Sequence, residues 1–259
     1  MSLVKTEFAD SIGTITMNHI RKHNALSQLL IGEIITALQD FKQKKARVVI
    51  LRAPPGAKIW SAGHDVKELP LTRRDPLGWD DPLRMVIREI ETLPIPVIAM
   101  IEGGVWGGAC EMAFACDMIV ATVNSTFAIT PAKLGVPYNT TGVLNFMHAT
   151  NRVILREMAF TAQQVTAPRA EVLGMINYVV EKEELEARVN KLAGQIKRNA
   201  PLSIAVIKEQ LRIMESAHPV SPRMFERIQG LRREVYDSHD YKEGLSAFLE
   251  KRKPEFTGE

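Results

Sequence analysis

The chain has 259 residues, 46% hydrophobic and 24% charged, the balance of a soluble globular protein with a substantial core. Thirty-three basic against thirty acidic side chains leave +3 with no long run of one sign, which argues against a nucleic-acid partner and its concentrated basic face. No apolar run approaches the roughly 18 residues of a membrane span and no signal-peptide pattern opens the chain, so a cytoplasmic protein with no membrane partner is expected.

Met1, Ser2 and Leu3 are assigned no role. Residues 11–17 alternate with β-branched side chains and read as a strand. From Ser27 to Lys45, Leu30, Ile31, Ile34, Ile35, Leu38 and Phe41 recur at helical steps, and a basic last turn closes the helix. Residues 48–51 form a short apolar strand. Pro54 and Pro55 break the pattern, residues 59–65 (Ile-Trp-Ser-Ala-Gly-His-Asp) follow, and a polar loop runs from Pro70 to Asp80. Asp81 and Pro82 supply a cap and a first-turn proline to a helix that turns Leu83, Val86, Ile87 and Ile90 inward. Pro94 and Pro96 end it and lead into a buried strand over 96–102.

Residues 103–111 read Gly-Gly-Val-Trp-Gly-Gly-Ala-Cys-Glu. A strand passing through paired glycines into a helix over 107–116 brings bare backbone N–H groups to the helix start, which suits an anion or an oxygen that becomes one. Strands follow at 118–121 and 126–129, then two helical patterns, a third helix from Thr166 to Gly174, and a last strand over 176–180. From Glu183 the pattern is helical, broken at Pro201, between Pro219 and Pro222, and near Ser238. The alternation predicts an α/β body over residues 1–200 and a helical appendage over 201–259.

Several chemistries lack their residues. Ser61, His64 and Asp65 sit too close in one turn for a catalytic triad, and no Gly-x-Ser-x-Gly elbow is present. His19 and His23 are four apart with nothing to complete a metal site, and neither a Gly-x-Gly-x-x-Gly nor a Gly-Lys-Ser/Thr phosphate loop occurs. Cys110 and Cys116 fall in an apolar helical pattern and read as reduced core residues. Glu111 lies in the same pattern, and a carboxylate turned inward there is a functional candidate.

Three pieces together resemble the crotonase (enoyl-CoA hydratase/isomerase) superfamily: residues 61–65, residues 103–111 followed by Cys116-Asp117-Met-Ile, and the tail over 240–256. The resemblance implies a spiral of ββα units with a C-terminal helical trimerisation region, and a homotrimer or dimer of trimers. It also implies an acyl-CoA ligand and no metal or redox cofactor, coenzyme A entering as part of the substrate. By the same resemblance the amides of His64 and Gly108 form an oxyanion hole, with Ala62 in the turn under the thioester and Lys251 reaching a CoA across the trimer. Arg73 and Arg74 are further candidates for the CoA phosphates.

A hydratase of this family uses two glutamates. Glu111 stands for the first, but counting between Phe127 and Gly135 puts Pro131 at the second, and proline moves no proton. Around this gap, and at residues 80–83, 105–109, 201–209 and 225–230, the chain is similar to the methylmalonyl-CoA decarboxylase branch. Loss of CO2 from a malonyl-type thioester needs an enolate stabiliser and a pocket that holds the carboxylate out of the thioester plane. Thr130 and Tyr138, uncharged hydroxyls, would orient it without stabilising the ground state. An enoyl-CoA hydratase or isomerase with one carboxylate, and a non-catalytic member binding acyl-CoA or RNA, stay as alternatives.

Overall fold

After an opening hairpin and helix, the chain repeats one step: a strand in a large sheet, a strand in a small sheet, then a helix. The computed structural model describes residues 2–69, 78–216 and 220–258. Strand β1 (Val4–Ala9) pairs antiparallel with β2 (Ile12–Met17), and α1 (Gln28–Gln43) follows under the cap of Ser27. The next turn of the spiral is β3 (Val48–Arg52), β4 (Ile59–Ser61) and α2 (Pro82–Thr92). After it come β5 (Val97–Ile101), β6 (Gly104–Trp106) and α3 (Gly108–Phe114), then β7 (Met118–Thr122) and β8 (Thr126–Ala128). Helices α4 (Thr140–Ala149) and α5 (Arg152–Thr161), strand β9 (Val165–Thr166), α6 (Ala167–Val172) and β10 (Tyr178–Val180) finish the sheets. Helices α7 (Leu185–Arg198), α8 (Pro201–Glu215), α9 (Pro222–Asp237) and α10 (His239–Leu249) complete the fold.

The large sheet runs β1-β2-β3-β5-β7-β10 and the small one β4-β6-β8-β9, parallel except at β1/β2 and β8/β9. Central strands of such a sheet are covered on both faces, so they read as unbroken apolar runs. In β3, Val49 and Leu51 face the main core while Val48 and Ile50 face α7. Helix α7 meets them with Leu185, Val189, Leu192 and Ala193, one stripe at helical spacing. Each such fully buried Leu or Val stabilises the fold by about 1.5–3 kcal/mol.

The fold keeps apart two strands that the sequence pattern runs together. Strand β5 does not pass directly into α3: Gly103, at φ +88, turns the chain out of the large sheet, and Gly104 opens β6 in the small one. Residues 2 and 3 also have a role, since Ser2 Oγ and the Leu3 amide donate to Glu33 Oε2 at 2.6 and 2.9 Å. Strand β1 escaped the sequence reading because it is an edge strand whose residues after Val4 are all exposed. Of the polar loop from Pro70 to Asp80, residues 70–77 lie outside the described residues, as does Pro219.

The helical region is fastened to the body at two places. Lys208 on α8 donates to the carbonyls of Ile90 and Ile95 at 3.0 and 3.2 Å and to Asp117 Oδ2 at 2.6 Å. Further on, Tyr236 Oη donates to the Pro137 carbonyl at 3.2 Å, and α10 lies against the 3-10 turn Pro131–Leu134. That second contact is backbone on backbone: a Cβ on Gly244 would stand 2.4 Å from the Leu134 carbonyl carbon and oxygen. We therefore expect Gly244→Ala to lower stability by about 1–3 kcal/mol, as overpacking does. Urea unfolding measures it, and an unchanged midpoint would show that α10 docks loosely.

Candidate functional site

Two strand ends bring two backbone amides together. The turn after β4 carries Gly63 and His64, and the turn after β6 carries Gly107 and Gly108. Gly63 sits at φ +87, and a Cβ there would come within 2.4 Å of the Trp106 carbonyl oxygen and 3.0 Å of the Gly108 nitrogen. A Cβ on Gly108 would lie 3.5 Å from the His64 nitrogen. Glycine at 63 is what lets the two turns close on each other. Among the described residues neither the His64 nor the Gly108 N–H has a protein acceptor, and Gly108 opens α3, whose first amides have no partner within the helix. Both turns line a cavity of about 540 Å³ that also takes in Ala62, Trp106, Leu83 and Pro131.

The imidazole of His64 has a structural task. Its Nε2 lies 3.1 Å from Asp81 Oδ2, while Asp81 Oδ1 accepts the Leu83 and Arg84 amides and so caps α2. Burial opposes the imidazolium, but the hydrogen bond and negative charge of Asp81 outweigh it and raise the His64 pKa above its ordinary value. One carboxylate thus starts a helix and ties the turn that presents the His64 amide.

Behind the cavity wall lies a buried polar cluster. Glu111 is fully buried on α3 and its Oε1 accepts from Arg84 of α2, itself buried. Arg84 also donates to Asn139 Oδ1 at 3.2 Å, and Asn139 caps α4 through the Gly142 amide at 2.6 Å. Burial pushes the Glu111 carboxyl up to about 7 against the attraction of Arg84. Tyr138 lines the cavity, its ring held edge-on by Phe146 at 5.1 Å between centroids. Its hydroxyl is within reach of Glu111 but not aligned on it, since Tyr138 Oη and Glu111 Oε2 are both buried without an aligned partner.

The structure thus brings His64, Gly108, Ala62, Thr130 and Tyr138 around one cavity and sets Glu111 behind it. Thr130 Oγ1 stands 2.9 Å from where a Cβ on Gly107 would be, beside the turn that presents the Gly108 amide. Lys251 does not line the cavity: it is exposed in a left-handed turn after α10. Arg73 and Arg74 lie outside the described residues. Lys22, paired with Asp65 at 3.0 Å, and Lys67 and Lys133 line the cavity instead. Phe248 of α10 and the buried Arg84 were missed in the sequence. A signal for Arg84 was there, since it shares a helical face with Ile87 three residues on. Among the described residues no group of three His, Cys, Asp or Glu could hold a metal ion, and no helix is long and apolar enough to cross a membrane.

Comparison with known proteins adds to this geometry. The family described as enoyl-CoA hydratase/isomerase matches residues 7–259. Methylmalonyl-CoA decarboxylase of Escherichia coli (strain K12) is 51% identical over 249 residues, which cover 96% of this chain and 95% of that one. Carnitinyl-CoA dehydratase of the same strain is 32% identical over 257 residues, with 96% and 95% covered. A solved structure of methylmalonyl-CoA decarboxylase in complex with 2-nitronate-propionyl-CoA superposes with a TM-score of 0.98 at 50% identity and 99% coverage of each chain.

The double duty of Asp81 is open to test with Asp81→Asn, which keeps a side-chain cap but removes the charge. A raised His64 pKa stabilises the fold fully below the unfolded value of about 6.5, and the contribution is lost as pH rises through the folded value. The wild type should exceed Asp81→Asn in urea midpoint most below pH ~6.5, with the gap closing as pH rises. A gap that widens with pH would assign the effect to another group.

Proposed function

We propose, for a chain that belongs to the enoyl-CoA hydratase/isomerase family, the decarboxylation of methylmalonyl-CoA to propionyl-CoA through an enolate held by the amides of His64 and Gly108. The observation that carries it is the pair of unpartnered amides over a cavity whose wall bears Pro131 in place of a second carboxylate. The high identity to methylmalonyl-CoA decarboxylase along the whole chain supports the same reading.

The reaction follows from the groups present. With the thioester oxygen between the two N–H groups, the bond from the α-carbon to the carboxylate breaks and its electron pair moves into the thioester as an enolate. CO2 leaves, and a proton then adds to the α-carbon. Negative charge grows on the oxygen that the amides face, and a preorganised donor there is worth about 3–4 kcal/mol. Thr130 and Tyr138 hold the carboxylate out of the thioester plane, and as neutral hydroxyls they let it go. The chemistry needs no metal or redox cofactor. Lys22, Lys67 and Lys133 at the cavity, together with Lys251, Arg73 and Arg74, are the cations offered to the CoA phosphates.

The same reading assigns the protein to the cytoplasm, as a homotrimer or a pair of trimers. Exposed apolar side chains on α8 and α9, among them Leu202, Val206, Leu211, Met214 and Phe225, favour such burial. Sedimentation should give a mass of three or six chains, and a monomer at micromolar concentration would count against assembly.

Incubation with methylmalonyl-CoA should yield propionyl-CoA by mass spectrometry, and unchanged substrate at high enzyme concentration would overturn the assignment. Crotonyl-CoA should keep its absorbance under the same conditions, because hydration needs the second acid that Pro131 replaces. Loss of that absorbance would favour the hydratase alternative.

A further inference from the structure

Decarboxylation consumes one proton per turnover, and the groups placed so far bind oxygen atoms without handing a proton to carbon. Glu111 and Tyr138 stand together behind and in the cavity wall. Tyr138 Cε1 and Cδ1 and Glu111 Oε1 lie 2.3, 2.5 and 2.8 Å from the single point that a Cβ on Gly142 would occupy, so phenol and carboxylate are neighbours. Tyr138 Oη and Glu111 Oε2 are nevertheless both buried without an aligned partner, a costly state for two oxygens. Glu111 does not line the cavity, so it is badly placed to activate water on a substrate, while Tyr138 does line it.

We propose that Glu111 is the proton reservoir of the reaction and Tyr138 the donor that hands the proton to the α-carbon, with Arg84 and Asn139 as positioning residues. This rests on the decarboxylase reading. Loaded, Glu111 carries its proton on Oε2 while Oε1 accepts from Arg84. When CO2 has gone, the Tyr138 O–H bond breaks as the C–H bond forms from the enolate electron pair, and the thioester carbonyl is restored. The phenolate takes the proton of Glu111, which is left as a carboxylate against Arg84. Water entering the emptied cavity reloads Glu111 through Tyr138, so one proton enters for each product formed.

The surroundings suit these roles. Arg84 and Glu91 face the carboxyl from α2, Tyr138 from the loop before α4, and Cys110 lies beside it on α3 with its thiol pushed up by burial. Burial and the Glu111 charge hold the Tyr138 phenol well above its ordinary pKa, so it keeps its proton until a strong carbon base appears. Glu111, near 7, exchanges its own close to neutral pH. His64, also at the cavity, has its pKa raised by Asp81, to which it is tied.

The test is kcat for propionyl-CoA formation against pH in the wild type, Glu111→Gln and Tyr138→Phe. A loaded reservoir is the protonated one, so wild-type kcat should be level below about pH 7 and fall about tenfold per unit above it. Glu111→Gln should lose about 10²-fold in kcat with KM little changed, and the limb near 7 should vanish. Tyr138→Phe keeps the Arg84–Glu111 pair intact; because it also loses the carboxylate contact, its pH profile rather than its drop in kcat decides the matter if Glu111→Gln does not fold, and the limb near 7 should vanish there too. Wild-type kcat in either variant, or a limb that survives both and so belongs to His64, overturns the proposal. Wild-type protein that makes no propionyl-CoA overturns the decarboxylase reading and this one with it, whereas turnover with unchanged variants overturns this one alone.

Discussion

Two peptide planes pass each other at residues 63 and 108 with no room for a side chain between them, and the rest of the site depends on that approach. Neighbouring parallel strands set it up. Strands β4 and β6 are paired in the small sheet, so their ends leave it side by side and their turns must meet. The bridge from Leu26 to His64 extends the same sheet one element further and pins the His64 turn from the other side. Rigid backbone groups of this kind lose little reorganisation energy when charge develops opposite them, which side-chain donors on flexible stems do not match.

Much of this was legible because backbone geometry writes itself into residue type. Gly63 and Gly107 sit at positive φ, and a Cβ on Gly63 would strike the Trp106 carbonyl; such requirements survive in a sequence as motifs. Continuous apolar runs at 48–51 and 96–102 announced strands buried on both faces. Elements held by their neighbours rather than by their own pattern were less visible. Strand β6 has three residues and begins with a glycine, so no alternation marks it, and β1 is too exposed to show one. Arg84 reads as an ordinary helix charge until Glu111 is seen beneath it, because a buried ion pair is a property of two helices and of neither alone. Phe248 could not be foreseen at the cavity, since only the docking of α10 on the 131–134 turn brings it there.

The buried acid and the missing one belong together. A carboxyl with no water around it is tolerated here because Arg84 donates to it and in turn donates to Asn139. Glu111 does not line the cavity while Tyr138 does, and Pro131 stands in the wall at the position read as that of the second glutamate. Both features count against water activation, while the amides of His64 and Gly108 stay without a protein acceptor at the cavity. One fold can in this way serve different reactions through what surrounds its site.

Asp81 has a consequence for how the molecule opens. Because one carboxylate both closes the first turn of α2 and holds His64, fraying of that turn and release of the cavity rim are a single local event. Partial opening of this sort has a smaller free energy than global unfolding. The amides of Leu83 and Arg84 would therefore exchange with solvent on the same clock as the His64 turn leaves the cavity rim, and heat would loosen the site before it melts the fold.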